Sequence, residues 1–159
     1  MQYRLKSLAA ISVSVGALTL PLNVHALLAN CTASLASIGF GSYASPGTAN
    51  SDSSGTVSVT CTGVNVLVSY SIALGTGSGS YANRKLISGT NFLSYNMYID
   101  PTRLQIWGDG SAGTSTITNA YLLGLTSVTT ATPVYGRIPG GQSQPAGTYN
   151  DTVIVTVTY

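Results

Sequence analysis

The chain has 159 residues, of which only 6% are charged, against roughly 25% in an ordinary soluble domain. It contains no Glu and a single His, His25, so it is poor in the side chains used for acid–base catalysis and metal binding. Arg4 and Lys6 lie in a segment that we expect to be removed, and the remaining four basic residues balance four Asp. We therefore predict no enzymatic activity, no metal or cofactor, and no nucleic acid partner, because nucleic acid binding requires a basic surface.

The N-terminal segment is typical of an export signal. Two basic residues precede an apolar run over residues 8–20, and a small-residue cleavage site follows at residues 24–26. We predict a signal peptide over residues 1–26 and one exported domain over residues 27–159. This interpretation places the protein in the periplasm or at the cell surface.

A second cleavage site lies after Ala17 and would give a shorter signal over residues 1–17. The new N-terminal segment would then be apolar at every second position, which is the period of a strand with one apolar face. These positions are Leu18, Leu20, Leu22, Val24, Ala26 and Leu28. We rank this site lower, because the signal would be short and apolar alternation can arise by chance in a signal peptide.

The two cysteines of the chain, Cys31 and Cys61, both follow the predicted signal. Two cysteines in an exported protein predict one structural disulfide. The chain contains no CxxC pattern, which argues against a metal or redox site at these residues.

The exported part consists of short runs rich in β-branched and aromatic residues, separated by Gly, Pro, Asn, Asp and Ser. We predict strands over residues 32–38, 56–61, 65–74, 84–88, 92–99 and 134–138, with a weaker apolar segment over residues 120–128. A polar loop is expected over residues 42–55, and residues 149–159 are the strongest strand prediction. Six to eight short strands at this spacing predict an all-β, antiparallel sandwich in one domain.

Several short patterns occur in the order expected for a known family. They are IGFGSY at residues 38–43 after Cys31, VSVTCT at 57–62, LSYNMY at 93–98, IWGDG at 106–110, YGRIP at 135–139 with Gln142, and GTYNDTV at 147–153 followed by the C-terminal strand. Together these patterns resemble the spore coat protein U family, which includes subunits of archaic, Csu-type chaperone–usher pili. The resemblance covers residues 31–159.

This resemblance implies an incomplete immunoglobulin-like antiparallel β-sandwich that is completed by a donor strand. A periplasmic chaperone would lend that strand, and the next pilus subunit would replace it at the outer-membrane usher. The assembled pilus would serve adhesion and biofilm formation at the cell surface. The candidate residues for the acceptor groove and the chaperone contact are on one face of the C-terminal strand: Val153, Val155, Val157 and Tyr159.

The cleavage site decides whether the protein can also donate a strand. Cleavage after Ala26 leaves four residues before Cys31, which is short of the roughly ten that a donor needs at about 3.3 Å per residue. The subunit would then be a tip subunit or a stand-alone protein. Cleavage after Ala17 would leave residues 18–28 as the donor strand.

The alternative function is a stand-alone secreted β-sandwich that acts as an adhesin or coat protein and binds glycans or abiotic surfaces. Trp107 and Asp109 could form a sugar-binding loop, but we favour Trp107 in the core and residues 109–110 in a turn. A pilus subunit is expected to be unstable without a donor strand, whereas a stand-alone sandwich is expected to be a stable monomer.

Overall fold

The computed structural model describes residues 29–63, 66–124 and 127–159. The predicted signal peptide and donor segment lie outside these residues. The described residues form eight strands and no helix: β1 (Asn30–Leu35), β2 (Ser51–Thr62), β3 (Val66–Leu74), β4 (Arg84–Ser88), β5 (Asn91–Tyr98), β6 (Ile117–Leu123), β7 (Val128–Ile138) and β8 (Val155–Thr158). A helix able to span a membrane is therefore absent from the described ranges.

The strands form two antiparallel sheets. One sheet has five strands in the order β1-β2-β7-β5-β4, and the other has three in the order β6-β3-β8. Alternate side chains of each strand point to the same face, and the buried ones on β2 and β3 pack between the sheets. These include Val57, Val59 and Cys61 on β2, and Val68, Tyr70, Ile72 and Leu74 on β3. The predicted all-β, immunoglobulin-like sandwich is confirmed.

The strand predicted over residues 56–61 is longer than expected and belongs to the longest strand pair of the fold. β2 pairs with β7 without interruption from Ser51 to Cys61, so the loop predicted over residues 42–55 is wrong from Ser51 onward. The polar side chains there form contacts across the sheet rather than a turn. Arg137 on β7, for example, donates two hydrogen bonds to the carboxylate of Asp52, at 2.7 and 2.8 Å.

The C-terminal strand is shorter than predicted. Only Val155–Thr158 form a strand, which pairs with β3, whereas the preceding residues make one isolated bridge, between Asn150 and Ile87 of β4. The alternation of side chains nevertheless continues through this region, since Val153 is half-buried and Ile154 is 71% exposed. Residues 149–154 thus have the pattern of a strand but little of the backbone pairing.

Trp107 lies at the centre of the core. Its side chain is fully buried, and the ring N–H donates to the carbonyl of Ile72 at 3.0 Å. Asp109 accepts hydrogen bonds from the backbone and hydroxyl of Ser111 and so closes a turn. The sugar-binding interpretation of Trp107 is therefore wrong, because no face of the ring is accessible.

Candidate functional site: an open cleft beside the C-terminal strand

A cleft of about 720 Å³ lies where the sandwich remains open. We call residues 36–45, which follow β1, the first wall, and residues 144–153, which precede β8, the second wall. The floor is formed by side chains of β4, β5 and β7: Leu86, Leu93, Tyr95, Met97 and Ile138. A groove with an apolar and aromatic floor between two extended segments can bind another extended segment.

The first wall leaves the sheet at Ala36. The N–H of Ala36 donates to the carbonyl of Thr56 at 3.2 Å, which is the last backbone contact between this segment and β2. Within the part of the chain that the structure describes, the N–H groups of residues 37–43 donate to no backbone carbonyl. Unpaired backbone groups of this kind provide an edge to which another strand can add.

Side chains of β2 replace the backbone as partners of the first wall. The hydroxyl of Ser53 donates to the carbonyl of Gly39 at 2.6 Å, and that of Ser51 donates to the carbonyl of Phe40 at 3.2 Å. These two hydrogen bonds hold the first wall against β2 without a backbone ladder.

The second wall is held by Asp151. Its Oδ1 atom accepts from the N–H and hydroxyl of Ser78, at 2.9 and 2.8 Å, and its Oδ2 atom accepts from the hydroxyl of Tyr95 at 2.6 Å. Burial, together with the hydrogen bond to Asp151, raises the pKa of the Tyr95 hydroxyl, which therefore remains a donor at physiological pH. One carboxylate thus joins the second wall to the floor and to the loop after β3.

The model of the Spore Coat Protein U domain matches residues 17–156 of this chain. The chain belongs to the spore coat protein U family. The match covers both walls and the floor of the cleft, and all eight strands except the last residues of β8.

Two known proteins are similar to this chain, one in sequence and one in structure. Protein U of Myxococcus xanthus is 40% identical over 114 residues, which are 66% of this chain and 59% of that protein, so this chain spans less than two thirds of its relative. A chain in the crystal structure of the CsuC–CsuE chaperone–tip adhesion subunit pre-assembly complex, from the archaic chaperone–usher Csu pili of Acinetobacter baumannii, superposes with a TM-score of 0.55. That alignment covers 83% of this chain and 40% of the other at 24% identity, and it therefore shows the fold alone.

The residues predicted for the groove of this family member lie in three different positions. Val153 lines the cleft. Val155 and Val157 are half-buried on β8 and pack against the core. Tyr159 is 58% exposed and does not line the cleft. The predicted donor residues, Leu18, Leu20, Leu22, Val24 and Leu28, lie outside the described residues.

Sequence reasoning did not assign a role to the first wall or to Asp151. The IGFGSY pattern of the first wall contributed to the family resemblance, and this was the only signal that singled it out. Nothing near Asp151 in the sequence indicates that its partners are Ser78 and Tyr95, because both contacts depend on the packing of the two sheets.

The predicted disulfide is confirmed. Cys31 and Cys61 are bonded at directly opposed positions of β1 and β2. The bond joins residues 30 apart in the chain, and closing such a loop stabilises a fold by roughly 3 kcal/mol in the chain-entropy model. It fastens the edge strand from which the first wall extends.

Among the described residues, no three His, Cys, Asp or Glu side chains come together as a metal site would require. Of the described residues that line the cleft, Asp151 alone carries a charge, and its carboxylate accepts hydrogen bonds at both oxygens.

Proposed function

We propose that this protein is a structural subunit of a bacterial surface pilus assembled by the chaperone–usher pathway, with no catalytic role. The observation that carries the proposal is the cleft, in which an apolar floor lies between two extended segments with little backbone pairing. In a complete immunoglobulin-like sandwich this space would be filled by a further strand. The cleft is therefore proposed to accept a donor strand from another protein.

The proposed donors are a periplasmic chaperone and then a neighbouring pilus subunit, which exchange at the outer-membrane usher. A strand edge next to an apolar groove is prone to aggregation, and a chaperone that occupies the groove would prevent this. The fold is similar to a chain in a chaperone–tip adhesion subunit complex, which supports this assignment. Export to the cell surface, adhesion and biofilm formation are the roles proposed for the assembled fibre.

We propose that residues 18–28 are the strand that this subunit donates. The family match begins at residue 17 and thus includes this segment, which a signal peptide of residues 1–26 would remove. Cleavage after Ala17 would retain it. Its alternate apolar residues could then face the floor of a neighbouring cleft while its backbone pairs with the walls.

A tethered donor strand tests this proposal. The chain is secreted with residues 18–30 repeated after Tyr159 through a Gly/Ser linker, since a tether raises the effective concentration of the strand. The thermal unfolding of the monomeric fraction is compared with that of the chain that carries the linker alone. We expect the midpoint of thermal unfolding to rise by about 5–10 °C, because a ligand that binds only the native state stabilises it.

Two further tethers make the result decisive. A designed strand of alternating Val and Thr guards against a poorly matched donor, and a scrambled 18–30 sequence without alternation is the control. If neither alternating strand raises the midpoint, the cleft is not a strand acceptor and the proposal is overturned. An equal rise with the scrambled strand would also overturn it and favour the stand-alone adhesin.

A further inference from the structure

We infer that Gly55 and Gly136 are positioning residues for donor-strand binding: together they form a depression that holds the Ile38 and Phe40 side chains out of the cleft. The inference rests on the proposed function of the cleft as a strand acceptor. It assigns a role to two residues that have no side chain of their own to contact the donor.

The two glycines are diagonal neighbours on the inner face of the five-stranded sheet. Gly136 on β7 is paired with Ser53 on β2, and Gly55 on β2 is paired with Val134 on β7. Val134 is fully buried between the sheets, so this face of β7 points into the core. Two adjacent positions without side chains leave a shallow depression in that face.

Two side chains of the first wall fill this depression. A Cβ atom added to Gly136 would lie 2.6 Å from Cζ and 2.8 Å from Cε1 of Phe40. A Cβ atom added to Gly55 would lie 2.8 Å from Cγ1 of Ile38. Because carbon atoms do not approach this closely, Phe40 and Ile38 occupy space that any other residue at the two glycine positions would need.

The backbone does not require glycine at these positions. Both residues lie inside strands, and neither is among the glycines with a positive φ. Glycine inside a strand weakens it, and its presence there often marks a close approach of another group. The close approach is by Phe40 and Ile38, so the glycines are explained by the wall and not by the strands.

The backbone of the first wall is fixed on both sides of the Phe40 ring. Ser53 and Ser51 bind the carbonyls of Gly39 and Phe40, as described above. Further along, the Tyr43 hydroxyl donates to the carbonyl of Pro139 and accepts from the N–H of Gln142, both at 3.0 Å. A ring displaced from the depression therefore cannot carry the wall with it.

A displaced Phe40 ring would turn towards the floor of the cleft. In the structure the ring already packs edge-on against Tyr95, a floor residue, with centroids 5.9 Å apart. Phe40 and Tyr95 both line the open space of the cleft. The Gly136→Ala substitution should thus place the ring where the donor side chains bind, and weaken donor binding more than it changes the unoccupied subunit.

The experiment uses the tethers described above, residues 18–30 and the Val/Thr strand, on parent, Gly136→Ala, Gly55→Ala and Gly124→Ala proteins. Gly124→Ala is the matched control, because it adds the same methyl group outside the cleft, with no atom within 4 Å. In Gly136→Ala and Gly55→Ala we expect the tether to raise the unfolding midpoint by at most half as much as in the parent. In Gly124→Ala the tether should raise the midpoint as much as in the parent.

A second substitution separates positioning from a general structural effect. In Gly136→Ala/Phe40→Ala the added methyl group meets no ring, so the rise on tethering should return towards the parent value. The inference is overturned if the tether raises the midpoint of Gly136→Ala as much as that of the parent. It is also overturned if the double variant gains no more from the tether than Gly136→Ala does. No rise in the parent protein would instead overturn the proposed function, so the two failures are distinguishable.

Should neither glycine variant fold, Ser53→Ala provides the test. This change releases the Gly39 carbonyl and lets the wall shift while both glycines remain. The tether should then raise the unfolding midpoint of Ser53→Ala less than that of the parent. The exposed Ser34→Ala substitution is the control. An unchanged rise in Ser53→Ala would overturn the inference.

Discussion

The hydroxyl of Tyr95 donates to Oδ2 of Asp151 across 2.6 Å, and this contact ties the floor of the cleft to its second wall. Tyr95 is 5% exposed, so the bond lies at the buried end of the carboxylate. The opposite oxygen binds Ser78 in the loop after β3. Next to it, Gly77 adopts a φ of +59°, and a Cβ atom there would collide with Asp151, so the loop is shaped around the carboxylate.

We predict that Tyr95→Phe lowers the free energy of unfolding by about 1–2 kcal/mol, because a buried acceptor loses its donor. Asp151→Asn should cost about 1–2 kcal/mol, since the amide can still bond Ser78 through its oxygen and Tyr95 through its nitrogen, but these neutral hydrogen bonds are weaker than those to a carboxylate. Urea unfolding measures both values. Tyr149→Phe is the control: its hydroxyl bonds only to the exposed Pro145 carbonyl, and we expect a change within about 0.5 kcal/mol.

The double variant Tyr95→Phe/Asp151→Asn tests whether the two residues act together. If the bond couples them, the double variant should lose less than the sum of the single losses. Strict additivity would show that Tyr95 and Asp151 stabilise the protein independently.

A second connection between the sheets is a buried arginine. Arg84, at the start of β4, is fully buried and its guanidinium donates to the carbonyls of Gly75 and Trp107 and to the side chain of Asn96, at distances between 2.5 and 2.9 Å. Burial lowers the pKa of Arg84. The bonds fix the residue after β3 and the backbone at Trp107 to β4.

We predict that Arg84→Met lowers the free energy of unfolding by about 3 kcal/mol or more, because several buried acceptors lose their donor at once. Arg84→Lys should also be destabilising, since a single ammonium group cannot reproduce the planar fork. Lys85→Met, at the neighbouring and more exposed position, is the control. An Arg84→Met protein as stable as the parent would show that the guanidinium contacts contribute no net stability.

The parts of the fold that were predictable depend on local pattern. The strand over residues 65–74 was predicted close to the observed bounds of β3, Val66–Leu74, because apolar residues at every second position are visible in the sequence from Val68 to Leu74. The strand at residues 51–55 was not, since its polar residues and Gly55 are typical of a loop. The pairing with β7 explains why those residues form a strand, and the approach of Ile38 explains the glycine within it.

The cleft was predictable only in outline. Family resemblance implied a groove beside the C-terminal strand, and Val153 does line it. The two walls are held instead by contacts between residues far apart in the sequence, such as Tyr43 with Pro139 and Asp151 with Tyr95. Contacts of this kind depend on how the sheets pack, and no local pattern in one sequence specifies them.

The turn after β5 predicts how stability responds to acid. Asp100 accepts hydrogen bonds from the Thr102 hydroxyl and from the N–H groups of Leu104 and Gln105. These bonds, that from Thr102 first, lower the pKa of the Asp100 carboxyl from 3.8 to about 2. A carboxyl whose pKa is depressed in the folded state stabilises the fold above its ordinary pKa, and this contribution is lost as the pH falls through the folded value.

We therefore predict that the parent protein loses thermal stability between about pH 4 and pH 2, and that Asp100→Asn reduces this loss. The asparagine keeps only one acceptor oxygen and has no proton to take up in this range, so its contribution does not change with pH. Unfolding midpoints measured from pH 7 to pH 2 give the comparison. Part of the loss should remain in the variant, because the ion pair with Arg137 also lowers the pKa of Asp52. Parallel curves for parent and Asp100→Asn across this range would contradict the assignment of the acid response to the turn.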